Sequence, residues 1–246
     1  MKKIYQKSEI WFAIIWIIIY VFGSSAADSI SESIGLAKVI TFPFLLLTGS
    51  FLFIWIKKNG LMEYYGLCKT PFSARKFLFW IPLFVIFSIN LWFGVTVNTG
   101  IAEMVLYFCF MLCVGIVEEI IFRGLLFKAM SHDNLKSAVI VSSITFGLGH
   151  IVNLINGRSE LLPTILQICY AMAVGFLFVE LFYRGKSLIP CILAHSINNA
   201  LSTIANKANI TDIKQILSSA ILCILSVAYA LLIMRNIPNK DENGTI

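Results

Sequence analysis

Charge is what this sequence has least of. Only 13% of its 246 residues are Asp, Glu, Lys or Arg, about half the share usual for a water-soluble domain. With 59% apolar residues and a mean hydropathy of +0.86, the chain has too few charges to coat a water-facing surface. It also has more apolar side chains than one core can hide. Lipid is the solvent that fits. Long polar linkers and low-complexity tracts are missing, and no appended soluble domain is expected. No internal repeat is visible, which counts against the paired halves of many transporters. CxxC and HExxH are absent. The six cysteines (Cys68, Cys109, Cys113, Cys169, Cys191 and Cys223) are dispersed, all but Cys68 in apolar runs. That pattern excludes a disulfide framework or a thiolate metal centre and reads as small buried hydrophobes.

What is present is a series of apolar stretches. A bilayer core takes about 20 apolar residues per helix. Eight stretches come near that, at 10–23, 36–56, 77–97, 104–127, 137–155, 161–183, 188–205 and 216–234. The expectation is an all-α polytopic bundle of about eight spans, forming a single membrane domain over 1–246. The net charge of +6 does not point to nucleic acid, because the cations are sorted by topology. With a cytoplasmic N-terminus, 15 of the 19 Lys and Arg fall on the inner side, leaving Lys38, Arg158, Lys207 and Lys214 outside. Setting aside Arg123, which lies within a span, the loops divide 14 to 4. Positive-inside sorting therefore puts both termini in the cytoplasm. Lys2, Lys3, the following apolar run and the small residues 24–27 imitate a secretory signal, but the run reads as a retained first span. The tail 236–246 is polar and is expected to fray.

Ionisable groups within membrane spans are costly and mark function by default. Here they are few. Glu118 and Glu119 stand in the fourth stretch, and Glu119 is four residues from Arg123, so those two share a helix face and can pair. Glu118 is turned about 100° away. His150 follows Phe146 by four residues, beside Gly147 and Gly149, which let another helix or a substrate come close. His195 and Asn199 share a face of the seventh stretch. Each motif alone reads as well as a structural ion pair or an interhelical hydrogen bond. Helical rise places Glu118, His195 and His150 at roughly 15, 10–12 and 20 Å from the inner ends of their spans. One shared cavity in the cytoplasmic half then becomes the economical arrangement. Glu180, four before Arg184, reads as a structural pair.

The motifs EEIIFR (118–123), FGLGH (146–150) and HSINN (195–199), in this order on successive spans, resemble the CPBP (Abi) family of intramembrane proteases. That family includes CAAX-processing endopeptidases and bacteriocin-processing or immunity proteins. The stretch 185–190 also looks like the family's lead-in to its last motif, and the resemblance covers a protease-like core at about 104–206. It implies an intramembrane endopeptidase. Glu118 would be the general base, His150 would help bind the water, and His195 and Asn199 would stabilise the oxyanion. Glu119, Arg123 and Phe146 would support them. Peptide hydrolysis needs those parts: an activated water and donors for the developing charge. Glu118, His150 and His195 could instead hold zinc with an open fourth position; a metal-free site is preferred. The expected substrate is a small peptide, a precursor or a lipid-modified tail. The expected setting is membrane lipid, in a bacterial cell membrane, with the site toward the cytoplasmic half. Two alternatives stand beside this: a non-catalytic immunity or binding protein, and a transporter.

Overall fold

The computed structural model describes residues 1–96, 100–206, 208 and 210–238. Expectations that concern Val97, Lys207, Lys240 and the tail beyond 238 lie outside the described residues. A short helical turn, Lys2–Lys7, precedes eight longer elements. These are α1 (Glu9–Ile34), α2 (Thr41–Lys58), α3 (Ala74–Leu91), α4 (Ile101–Ser131), α5 (Leu135–Ile155) and α6 (Leu161–Gly185), then α7 (Ile189–Ser202) and α8 (Asp212–Asn236). Among the described residues no strand forms, and only an isolated bridge joins Val95 to Ala205. The all-helical expectation is met.

Seven of these helices are long and apolar enough to cross a membrane. The one that falls short is α7, at the seventh apolar stretch. Its 14 residues extend about 21 Å, less than the ~30 Å hydrocarbon core. It packs within the bundle, against α3, α4 and α6. In contrast α1 is longer than its apolar run. Hydropathy falls after Gly23, but the Ser- and Ala-rich segment that follows still suits a helix. The helix continues until Gly35, whose φ of 79° ends it in a left-handed cap. At its start Ser8 accepts the Trp11 amide through Oγ, 3.3 Å away. Helix α3 is irregular: Leu78, Phe79 and Trp80 all have positive φ, a conformation unfavourable for residues with a Cβ. The buried Phe77 carbonyl is satisfied by the Tyr229 hydroxyl of α8 at 2.8 Å.

Large apolar side chains such as Phe22, Leu47, Phe84 and Leu217 lie exposed on the outside of the bundle, where lipid would cover them. The centre belongs to α4, which contacts α1, α2, α5 and α7, while α6 packs on α5 and α8. Halfway along, α4 widens into a π-helical stretch, Ile120–Phe127, in which every residue is buried. Such π segments are rare and occur often at functional sites. Helix α5 is tied to it by the Ser142 hydroxyl, which donates to the Phe122 carbonyl at 2.9 Å. The start of α7 is fixed from the 66–70 segment: Leu188 N donates to the Gly66 carbonyl at 2.7 Å and Ser187 Oγ donates to the Cys68 carbonyl at 2.5 Å. This is the environment of the 185–190 lead-in.

Helices α4 and α7 touch at Gly115. A Cβ there would lie 2.6 Å from the Ser196 nitrogen and 2.8 Å from its Cα, and backbone cannot move aside as a side-chain tip can. The Ser196 hydroxyl also donates to the Leu112 carbonyl at 3.1 Å. Replacement Gly115→Leu is expected to lower stability by about 1–3 kcal/mol, measured as thermal unfolding in detergent; an unchanged transition would show that the two helices do not meet at this point.

Candidate active site

The EEIIFR motif straddles the change from α- to π-helix in α4. Glu119 and Arg123 are fully buried, and Glu118 and His195 each retain 8% exposure. Arg123 Nη1 lies 2.9 Å from Glu119 Oε1. The same oxygen lies 2.8 Å from Nδ1 of His195 on α7. The other imidazole nitrogen, Nε2, faces Glu118 Oε2 at 3.5 Å. The Tyr20 hydroxyl of α1 donates to the remaining Glu118 oxygen, Oε1. A single chain of polar groups therefore runs Arg123, Glu119, His195, Glu118, Tyr20 through three helices.

Aromatic rings hold this chain in place. The Arg123 guanidinium lies 3.9 Å from the Phe146 ring centroid, with Phe178 at 5.5 Å. Such contacts matter here because Arg123 Nε and Nη2 and Glu119 Oε2 have no hydrogen-bond partner among the described residues. A cation on an aromatic face recovers about 2 kcal/mol when desolvated. Phe146 is also edge-on to His150 at 5.7 Å and to His195 at 5.6 Å. One phenyl ring thus sets the spacing between the guanidinium and both imidazoles. His150 itself lies just past the main body of α5, in a turn between Leu135–Leu148 and Ile151–Ile155, and not inside a continuous helix. Of the two neighbouring glycines, Gly147 is the one that admits another helix. A Cβ there would meet the side chain of Met172 and, at 2.9 Å, the Ile168 carbonyl of α6.

Glu118, His150, His195 and Asn199 line one cavity of about 570 Å³. Glu119 and Arg123 stand behind its wall. The cavity continues from the Glu118–His195 pair to Asp28, Lys38 and Arg158, at the end of the bundle that the charge count assigns to the outside. There Asp28 accepts from Lys38 at 2.9 Å and from Arg158 at 2.8 Å, and from the Thr41 hydroxyl. Arg158 also pairs with Glu32 at 3.0 Å. Asn90 of α3 donates to the Asn198 side-chain oxygen at 2.9 Å, steadying the residue next to Asn199. Away from the cavity, Glu180 and Arg184 form an ion pair at 2.6 Å.

Residues 98–201 match a family model described as Rce1-like, type II CAAX prenyl endopeptidase. The match takes in all three motifs and bears out the resemblance to the CPBP family. It begins just before α4 and ends within α7, so α1, α2, α3 and α8 lie beyond it. The Rce1-like family is a protease family. Neither the curated proteins nor the solved structures yield a match.

Among the described residues no three His, Cys, Asp or Glu side chains are grouped to hold a metal ion. His195 Nδ1 lies 2.8 Å from a Glu119 oxygen and Nε2 lies 3.5 Å from a Glu118 oxygen. The sequence reading did not single out Tyr20, Asp28 or Asn90. For the first two a signal existed, because Tyr20, Ser24 and Asp28 recur every fourth residue on α1 and all line the cavity.

Removing the cation should expose how far Glu119 depends on it. Breaking a buried pair from one side costs about 3–5 kcal/mol. Arg123→Met is expected to lose stability on that scale, and the double replacement Glu119→Gln with Arg123→Met to recover part of it. Thermal unfolding of the purified variants checks this; a silent Arg123→Met would mean that Glu119 is not charged as drawn.

Proposed function

We propose that this chain is an intramembrane endopeptidase of the CAAX type, in which Glu118 activates a water for attack on a peptide bond. The observation that carries the reading is the convergence of Glu118, His150, His195 and Asn199 on one cavity inside the Rce1-like segment.

The chemistry follows from the donors and acceptors available. A water between Glu118 and His150 gives a proton to the Glu118 carboxylate as its oxygen bonds to the scissile carbonyl carbon. The carbonyl oxygen takes up the negative charge, facing donors from His195 Nε2 and the Asn199 amide. When the carbon–nitrogen bond breaks, the proton held on Glu118 passes to the leaving amine. The products are a new carboxyl terminus and a new amino terminus. Glu119 keeps His195 oriented through Nδ1, and Arg123 balances the Glu119 charge. No metal takes part in this scheme.

The substrate is a peptide or a lipid-modified tail, in keeping with the family's name, and the host membrane is that of a bacterial cell. Positive-inside sorting supports cytoplasmic termini. Under the same rule Lys38 and Arg158 lie outside, and the cavity reaches them. The cavity thus offers a way in from the outer face to a site placed toward the cytoplasmic half.

Purified protein in lipid, given prenylated and unmodified peptides, should cleave at least one class. Glu118→Gln and His150→Ala should each lose at least about 100-fold in rate, and Asn199→Ala about 10²–10³-fold, all with unchanged folding. Cleavage by wild-type protein should persist in chelator. Full activity in Glu118→Gln would end the general-base assignment, and zinc-restored activity after chelation would end the metal-free one.

A further inference from the structure

The Glu118 carboxylate has two oxygens and needs one of them free for water. Its Oε2 faces His195 Nε2 across 3.5 Å, a gap that leaves this oxygen weakly engaged. Its Oε1 is taken by the Tyr20 hydroxyl. Tyr20 belongs to α1, which packs against the π-helical stretch of α4 that begins just after Glu119. It lies on the stripe of α1 that starts with the buried Phe12 and Trp16 and goes on to Tyr20, Ser24 and Asp28 along the cavity wall. A phenol on an otherwise apolar helix finds a partner wherever one is near. Here the partner is the one carboxylate proposed to do chemistry, although α1 lies wholly outside the Rce1-like segment.

We propose that Tyr20 is a positioning residue for Glu118: its hydroxyl clamps Oε1, fixes the rotation of the carboxylate and turns Oε2 to His195 and the cavity. The inference rests on the hydrolase reading. It gives the first helix a task in the reaction, because the base would be one torsion looser without it. Proximity and orientation of this kind govern rate more than affinity. Tyr20 touches the base and not the substrate, so its loss should fall on kcat and leave KM nearly unchanged.

Tyr20→Phe deletes one oxygen, keeps the ring and leaves every other neighbour of Glu118 in place. The experiment is the steady-state kinetics of the wild-type and Tyr20→Phe proteins in lipid. Expected are a kcat lower by about tenfold and KM within about twofold. A merely structural hydroxyl would change stability and leave the kcat of the folded protein where it is. Should Tyr20→Phe fail to fold, monofluorotyrosine at position 20 keeps the size and strengthens the donor, and kcat should change while KM does not. An active wild-type protein whose kcat is unmoved by either change overturns the Tyr20 assignment alone. A wild-type protein that cleaves no peptide overturns the hydrolase reading and this inference together.

Discussion

One oxygen of Glu119 serves two partners at once: the guanidinium of Arg123 at 2.9 Å and Nδ1 of His195 at 2.8 Å. Neither Glu119 nor Arg123 could be buried alone, because an unpaired charge withdrawn from water costs several kcal/mol. The spacing within EEIIFR follows from this, since four residues bring the guanidinium back to the carboxylate along α4. So does the place of α7, a helix too short to span. It is held where His195 meets Glu119, by the backbone contact at Gly115 and by the clamp on its first turn.

From that fixed point the molecule divides into a rigid back and a hollow front. Behind the wall, Phe146 and Phe178 flank Arg123 and the π-helical stretch buries every residue it has. In front, His195 turns its second nitrogen toward Glu118, and the cavity opens along a polar stripe of α1. The Rce1-like segment supplies the back and most of the site. The helices outside it supply the chamber's other wall: α1 through Tyr20 and Asp28, and α3 through Asn90. The chamber in front of Glu118 is thus a product of both parts of the chain.

Much of the fold was legible because membrane spans announce themselves by length and apolarity. What hydropathy misjudged were the ends. It stopped α1 at Gly23, since it responds to transfer into lipid and not to helix propensity, and Ser and Ala prolong a helix that no longer needs to be apolar. It gave 188–205 the weight of a span, although His195, Ser196, Asn198 and Asn199 turn one side of that helix into a polar wall. It had no means to foresee the left-handed turn at Leu78, Phe79 and Trp80, for which Pro82, at the start of the helical segment that follows, is the only local signal. In the site, Glu118, His150, His195 and Asn199 stood out as polar residues at membrane depth. Tyr20 did not, because a tyrosine in an apolar run passes for an interfacial anchor; its importance comes from a neighbour 98 positions away.

The account stands or falls on how His195 is held. With three histidines in the chain, the protein labelled with 15N-histidine and its His150→Ala and His132→Ala variants give an assigned imidazole spectrum in lipid. The account predicts that His195 carries a proton on Nδ1, strongly hydrogen-bonded to Glu119 and shielded from exchange. A His195 with a bare Nδ1, its proton only on Nε2, would contradict it.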